Sequence, residues 1–122
     1  MFYSLTSLPR QDLWTGYQAR IYHGDKITLA VVEIEPGAAL PSHAHDNEQV
    51  GLIVAGSLHF TIDGVERTVH AGEGWVIPGN AEHAAAAGPE GAVVIETWAP
   101  ARGDFRDLPE LPPTLPRWPA SS

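Results

Sequence analysis

Turn-forming residues interrupt this chain so often that few segments are long enough for a stable helix. The sequence contains 12 glycines and 11 prolines, and turn signals recur about every eight to twelve positions. Between the turns, apolar and polar residues alternate with a period close to two, which is typical of strands that bury one face. Strands at this spacing are typical of a sandwich or barrel. The sequence therefore predicts an all-β fold with little or no helix.

The type of connection can be predicted at several of these interruptions. Asp63 and Gly64 separate two alternating segments, and such a pair indicates a type I′ hairpin because both central residues need positive φ. Ala55 and Gly56 are interpreted as a second tight hairpin. Residues 84–87 are all alanine, but a run this short between turn signals cannot nucleate a helix, so we predict a strand. The predicted core strands are 19–23, 27–35, 50–54, 57–62, 65–70, 75–77, 84–87 and 92–98.

Length and charge limit the possible classes of function. A chain of 122 residues forms one domain and has no room for a separate catalytic domain. We predict a single barrel domain over residues 1–106, including N-terminal strands, and a proline-rich tail over residues 107–122. The formal net charge is −8 and Lys26 is the only lysine, so no basic patch is available to neutralise a run of phosphates. We therefore expect neither nucleic acid nor an anionic membrane as a partner.

Absent sequence features narrow the prediction further. Cysteine is absent, which excludes disulfides, a zinc ribbon and a thiol nucleophile. The first residues lack a basic segment followed by an apolar run, and no apolar stretch reaches the roughly 18 residues that a spanning helix needs. We therefore expect a soluble cytoplasmic protein. Prolines in the tail cannot donate to a sheet ladder, so we expect the tail to make no ladder contact and either to lie over the barrel or to bind a partner.

Two glycine- and proline-punctuated segments carry polar residues at a spacing that suits one metal site. The first contains Gly37, His43, His45, Gln49 and Gly56, and the second contains Gly72, Pro78, Asn80 and His83. Side chains i and i+2 of a strand share a face, so His43 and His45 project together. Gln49 turns inward beside them, and antiparallel pairing brings His83 against the same segment. Three imidazoles and one amide oxygen suit one divalent transition metal ion, namely zinc, nickel, manganese or iron.

Other interpretations of these residues stay open at this point. A His-x-His pair on a strand is often an ordinary surface pair. Glu48 is an alternative oxygen ligand to Gln49, but it points outward if the strand has begun by then. His23, His59 and His70 show no partner pattern and are predicted to be surface or hairpin residues.

The two segments resemble the paired motifs of the cupins, which are double-stranded β-helix jelly-roll barrels, over about residues 37–102. Within the cupins, the chain resembles the pectin-degradation proteins that open the ring of 4,5-unsaturated uronates. Those proteins carry a His-x-His segment followed by Gln, and the run acidic-x-Phe-Ser-Pro-x-Arg-x-Asp-Phe after the last core strand. Residues 96–105 of this chain read Glu-Thr-Trp-Ala-Pro-Ala-Arg-Gly-Asp-Phe. The resemblance implies that Glu96 and Arg102 act on the substrate.

The same two residues can be interpreted without the family. Glu96 lies within an apolar predicted strand, where burial raises the pKa of a carboxyl and suits a general acid or base. The alternative is an edge strand with Glu96 in water or paired to an arginine. Arg102 either binds a substrate carboxylate bidentately at the barrel mouth, or is a surface arginine or a partner of Asp104. Trp75 and Trp98 are predicted to be packing residues.

These residues lead to three hypotheses. The first is a metal-dependent isomerase or lyase acting on a small carboxylate-bearing substrate, with unsaturated uronate ring opening as its specific form. The second is a metal-dependent dioxygenase of a flavonol-like or diketone substrate, and the third is a non-catalytic metal-dependent binding module. The resemblance also implies a homodimer, with residues 2–8 as a candidate for adding to a neighbour's sheet.

Overall fold

The computed structural model describes residues 1–119 and contains strands in one antiparallel sheet with a short 3-10 helix near its end. The elements are β1 (Gln11–Trp14), β2 (Tyr17–His23), β3 (Thr28–Ile34), β4 (Ala39–His43), β5 (Glu48–Ile62), β6 (Val65–His70), β7 (Gly74–Ile77), β8 (His83–Ala99) and the 3-10 helix (Gly103–Asp107). The strand order is β1-β2-β3-β8-β5-β6, with β4 paired to β8 and β7 paired to β5. The all-β prediction is confirmed.

The two longest strands, β5 and β8, organise the fold by pairing along most of their length. Their register runs from Glu48 opposite Ala99 to Ile62 opposite His83. Strands β3 and β4 add to β8, whereas β6 and β7 add to β5. Inward-facing residues from both halves of these long strands form a single hydrophobic core cluster. The sheet therefore closes around one interior, and the side chains on the inner face of β5 and β8 point into it.

The predicted hairpin at Ala55 and Gly56 is wrong, because β5 runs through both residues without a turn. The pairing of β5 with β8 instead shifts register between Ile53 and Ala55 and again after Gly56. Gly56 has φ +76 and lies directly against the backbone of Gly91 on β8, leaving no room for a Cβ. A bulge with a glycine bends a strand without ending it. In the same way, predicted strands 84–87 and 92–98 are two parts of β8.

The predicted hairpin at Asp63 and Gly64 is confirmed. Both residues have positive φ, +48 and +79, and Ile62 pairs with Val65 across them. Strand β1 was not predicted, and the strand that was expected to carry both His43 and His45 is β4, which ends at His43 and leaves His45 in a loop. Each is short and has an irregular register with its neighbour, so neither shows a long alternating pattern in the sequence.

The proline-rich tail lies over the barrel as far as the structure describes it. Leu111 exchanges two backbone hydrogen bonds with Arg10, which corrects the expectation that the tail makes no ladder contact: this residue, unlike its proline neighbours, keeps its N–H. The fully buried Arg20 bonds to both the carbonyl and the hydroxyl of Thr114, and it forms an ion pair of 2.9 Å with Glu33. The end of the predicted tail, residues 120–122, lies outside the described residues.

Two further expectations, the domain boundary and the role of the first residues, stay predictions. The predicted domain boundary at residue 106 falls inside the 3-10 helix and stays a prediction. Residues 2–8 form turns and no strand within this chain, and their addition to a neighbour's sheet also stays a prediction. Within residues 1–119, no helix is both long and apolar enough to cross a membrane.

Candidate functional site

The three histidines of the two segments meet at one end of the barrel. His43 ends β4 and pairs in register with His83, the first residue of β8. His45 lies in the loop that follows β4. One nitrogen from each ring can be chosen so that the three atoms lie within 4.8 Å of one another. The long-range pairing of β4 with β8 therefore produces the cluster that the spacing of the residues predicts.

Backbone carbonyl groups fix how each imidazole ring is oriented. The Nδ1 atoms of His43, His45 and His83 lie 2.9, 3.0 and 2.9 Å from the carbonyl oxygens of Pro41, Asn47 and Ala81. A carbonyl oxygen only accepts, so each Nδ1 donates its proton, and in the neutral form of such a ring Nε2 presents a lone pair. Burial lowers the pKa of His45 and of His83, which keeps both rings neutral. Histidine binds metals as a neutral ring whose Nε2 is free and whose Nδ1–H donates to a carbonyl or carboxylate oxygen.

Gln49 completes this cluster from β5. Its Oε1 lies 3.1 Å from Nε2 of His45, and with the proton of His45 on Nδ1, two lone-pair atoms face each other. Nε2 of His83 is buried and has no hydrogen-bond partner within residues 1–119. A cation among these atoms satisfies all of them at once, so the donor set fits a divalent transition metal ion. Glu48, the alternative oxygen ligand, is exposed and faces away.

Glu96 lies on the inner face of β8 and lines the cavity inside the barrel, as His83 also does. It is 6% exposed, and its Oε2 accepts a hydrogen bond of 3.2 Å from Nε1 of Trp75. Burial raises the pKa of the Glu96 carboxyl to about 8, although hydrogen bonds from Gln49 and Trp75 oppose the shift. Strand β8 is paired on both sides, by β3 and β5. The alternative of an edge strand with Glu96 in water is therefore wrong for this structure.

Glycine at position 51 makes this arrangement possible. Gly51 is the register partner of both Glu96 and Trp75. A Cβ placed on Gly51 would lie 2.5 Å from Oε2 of Glu96 and 2.5 Å from two atoms of the Trp75 ring. The space over Gly51 is thus filled by these two side chains and is not left for a ligand.

Arg102 stands at the mouth of the barrel, three residues beyond the end of β8. Its Nε and Nη2 donate to the two carboxylate oxygens of Asp104 at 3.0 and 2.9 Å. Its guanidinium carbon lies 4.1 Å from the centroid of the Phe105 ring. This ion pair holds the pKa of Asp104 below its usual range. The ion pair with Asp104, which the sequence left open as the alternative to substrate binding by Arg102, is present, and Arg102 also lines the cleft beside the histidines.

The site opens to solvent through a cleft of about 390 Å³, whose lining includes His43, His45, Gln49 and Arg102. A smaller cavity of about 60 Å³ lies inside the barrel, lined by Gln49, Glu96 and mostly apolar side chains. Gln49 lines both cavities and so stands between the mouth and Glu96. All six predicted site residues are therefore brought to this end of the barrel.

The structure places three tryptophans at the site that the sequence did not place there, namely Trp14, Trp75 and Trp98. Trp75 and Trp98 are buried, as predicted for packing residues, but Trp75 also donates to Glu96. Only the strand register, which sets Trp75 opposite Gly51, indicates this contact. Trp14 is 47% exposed and lines the cleft. It belongs to β1, a strand that the sequence did not predict.

Comparison with known proteins gives consistent results. A family model described as Cupin domain matches residues 30–98. The chain is 30% identical over 99 residues to the pectin degradation protein KdgF of Dickeya dadantii (strain 3937), covering 80% of this chain and 90% of that protein. The structure of KdgF from Halomonas sp. superposes with a TM-score of 0.79 at 27% identity, covering 85% of this chain and 96% of the other.

A further relative shares only part of its length with this chain. The dimethylsulfoniopropionate lyase DddW of Ruegeria pomeroyi (strain ATCC 700808 / DSM 15171 / DSS-3) is 43% identical over 65 residues. That match covers 53% of this chain and 43% of the lyase.

Proposed function

This chain belongs to the cupin family, and from that membership and the buried carboxyl of Glu96 beside the histidine cluster we propose that it is a metal-dependent isomerase that opens 4,5-unsaturated uronates. The pectin degradation protein named above, 30% identical over 99 residues, supports this choice of substrate. The observation that carries the proposal is the placement of Glu96. Its carboxyl is buried, has a raised pKa and bonds to Trp75, next to an amide that belongs to the cluster.

The proposed metal ligands are His43, His45, Gln49 and His83, which would hold one zinc, nickel, manganese or iron ion. When bound, such an ion supplies a Lewis acid whose charge is not offset by any carboxylate ligand. The chain's own contribution to this part of the site is the fixed direction of the three imidazoles. Rings that are oriented in advance are the usual advantage of a preorganised site.

The proposed role of Glu96 is to hold and move one proton. In ring opening, the anomeric hydroxyl gives its proton to Glu96, C1 becomes an aldehyde as its bond to the ring oxygen breaks, and the resulting enolate takes the proton at C4. The reaction gains and loses no atoms, so one group that first accepts and then returns a proton is sufficient. A carboxyl whose pKa is about 8 exists in both forms near neutral pH, as a general acid and base requires. Protonated Glu96 then delivers the proton to carbon.

The proposed role of Arg102 is to bind the carboxylate of the substrate. The pair with Asp104 uses Nε and Nη2 of Arg102, which leaves the N–H groups of Nη1 for the incoming anion. Phe105 and Trp98 pack against the guanidinium group and restrict its motion. In a chain of net charge −8, a fixed cation at the mouth of the cleft favours entry of an anionic substrate.

The experiment that tests this proposal follows the ultraviolet absorbance of the conjugated C4=C5 bond as metal-loaded protein converts a 4,5-unsaturated uronate. We expect loss of absorbance that stops when the metal is chelated. The variant Glu96→Gln should lower kcat by at least about 10³-fold while it retains its metal. Glu90→Gln, on an exposed position of the same strand, is the matched control and should keep full activity. Retained activity in Glu96→Gln would refute the assignment.

A lyase reaction is the second candidate, and the match to DddW is the observation that favours it. In that reaction Glu96 would remove a proton next to the carboxylate of dimethylsulfoniopropionate, and the carbon–sulfur bond would break to release dimethyl sulfide and acrylate. Release of dimethyl sulfide by the wild-type protein, without turnover of uronates, would select this alternative.

The remaining expectations stay predictions. Metal-dependent oxygen consumption with a flavonol or diketone would indicate a dioxygenase, and ligand binding without turnover would indicate a binding module. A small carboxylate-bearing substrate, a homodimer and a cytoplasmic location belong to the same proposal. Sedimentation velocity of the purified chain tests the homodimer directly.

A further inference from the structure

We infer that Asn47 is a positioning residue that places Arg102 for carboxylate binding, an inference that rests on the proposed function. Asn47 lies between His45 and Gln49 in the loop that leads into β5. It is 7% exposed, although asparagine in a loop between two strands is normally solvated. A buried amide in such a place needs partners, because an unpaired one costs stability.

The main chain and the side chain of Asn47 form hydrogen bonds with two different parts of the site. Its backbone carbonyl accepts the Nδ1–H of His45 at 3.0 Å and so belongs to the histidine cluster. Its side-chain Nδ2 donates to the carbonyl of Pro100 at 2.6 Å. Pro100 begins the loop after β8, two residues before Arg102. One residue therefore contacts both the histidine cluster and the segment that carries the substrate-binding arginine.

The loop from Pro100 to Arg102 has few other supports. The backbone N–H of Arg102 donates to the hydroxyl of Thr28 at 2.8 Å, and Thr28 is fully buried. Beyond the loop, the side chain of Gln11 donates to the carbonyls of Phe105 and Leu108, both at 3.0 Å. These contacts hold Arg102 and the 3-10 helix. The Asn47 side chain holds the start of this loop at Pro100, where the chain leaves β8. This contact therefore sets the direction in which the loop runs toward the cleft.

Loss of the Asn47 side-chain contact should therefore act on Arg102 and leave the histidine cluster unchanged. In Asn47→Asp the side chain keeps its size but no longer donates to Pro100, and the backbone carbonyl that holds His45 remains. We expect an approximately tenfold increase in KM for the uronate, the size of one lost hydrogen bond. We expect kcat within about twofold of wild type, because Glu96 is not touched, and an unchanged metal content.

The matched control is Asn80→Asp. Asn80 is exposed and also contacts His45 through its main chain, by donating its N–H to the His45 carbonyl at 2.7 Å. Its φ of +67 is a conformation that aspartate tolerates as asparagine does. The control thus adds the same charge in the same neighbourhood without touching Pro100, and its KM should equal that of wild type.

Two measurements on the full chain decide the inference. In hydrogen–deuterium exchange, Asn47→Asp should speed exchange of the backbone amides of residues 101–105, and Asn80→Asp should not. In the Arg102→Ala background, adding Asn47→Asp should change KM by less than about twofold, because residues that act through one another are not additive. Unchanged exchange in Asn47→Asp, or a KM effect that persists without Arg102, would overturn the inference. If wild type converts no uronate, the proposed function fails, and the exchange experiment still decides whether Asn47 holds the loop.

Discussion

The two sides of the cleft are held in place by different kinds of contact. On the histidine side, each imidazole is oriented by a backbone carbonyl only two residues away in the chain, at Pro41, Asn47 and Ala81. On the substrate side, Glu96 and Arg102 are oriented mainly by side chains. The histidine side is therefore set by local chain geometry, and Arg102 is set partly by its neighbour Asp104. Glu96 depends on a side chain that the fold brings to it from another strand.

This difference predicts how each side responds to substitution. A backbone carbonyl stays in place when its side chain is changed, so the histidine side should be lost only when a ligand itself is removed. The substrate side should respond in graded steps, since contacts with Trp75, Asp104 and Phe105 can be altered one at a time. Four experiments test this comparison, from the largest expected effect to the smallest.

Removal of a proposed ligand should have the largest effect. In His83→Ala the cluster loses its most buried imidazole, one with no other hydrogen-bond partner for its Nε2 within residues 1–119. We expect metal affinity to fall more than about 100-fold, beyond the loss that accompanies removal of an outer partner of a ligand, and activity to disappear. Elemental analysis of the purified variant gives the metal content. His59→Ala, at an exposed histidine of β5, should bind as wild type; stoichiometric metal in His83→Ala would contradict the ligand assignment.

Removal of the proposed carboxylate-binding group should have the second largest effect. Arg102→Ala should raise KM about 10- to 100-fold, the range for loss of a hydrogen bond to a charged group, with metal content unchanged. Steady-state kinetics with the uronate measures the effect. Arg106→Ala, at an exposed arginine of the 3-10 helix that follows Arg102, is the control. Equal KM values for the two variants would show that Arg102 does not bind the substrate.

A smaller effect is expected where glycine makes room for Glu96. Gly51→Ala places a methyl group where Oε2 of Glu96 and the ring of Trp75 now lie. Overpacking of this kind costs about 1–3 kcal/mol of unfolding free energy, and displacement of Glu96 should lower kcat. Urea unfolding and kinetics measure the two consequences. Gly103→Ala is the control because nothing lies within 4 Å of the added Cβ; equal stability of the two variants would contradict the close contact over Gly51.

The smallest effect concerns pH and the metal-free protein. The pKa of Glu96 is raised from 4.5 to about 8 by burial, so between these values the unfolded chain releases a proton that the folded chain keeps. Rising pH therefore destabilises wild type relative to Glu96→Gln, by at most about 1.4 kcal/mol per pH unit. Between pH 6 and pH 7 the difference in unfolding free energy should therefore widen in favour of Glu96→Gln by at most about 1.4 kcal/mol. A difference independent of pH would show that Glu96 is not buried in its neutral form.

The sequence predictions were accurate where a feature depends on local contacts and wrong where it depends on contacts that are distant in the chain. The hairpin at Asp63 and Gly64 was predicted because positive φ at both positions is a local requirement. The hairpin at Ala55 and Gly56 was predicted wrongly, since a glycine that bends a strand looks the same in sequence as one that ends it. What distinguishes the two cases is the backbone of Gly91, which lies 35 positions away in the chain and directly against Gly56.

The sequence by itself determined the all-β fold, the cupin motifs and the residues that meet in the histidine cluster, because periodicity, turn chemistry and short spacings are local properties of the chain. Only the tertiary structure decided that Glu96 is buried against Trp75 over Gly51, that Arg102 is paired with Asp104, and that Asn47 reaches Pro100. The contacts of Glu96 and Asn47 join residues from separate strands and loops, and the register between strands that creates them depends on packing of the whole barrel. The local pattern of the sequence thus specifies the histidine cluster that can bind a cation. The packing of the whole barrel specifies the contacts of the residues proposed to act on the substrate.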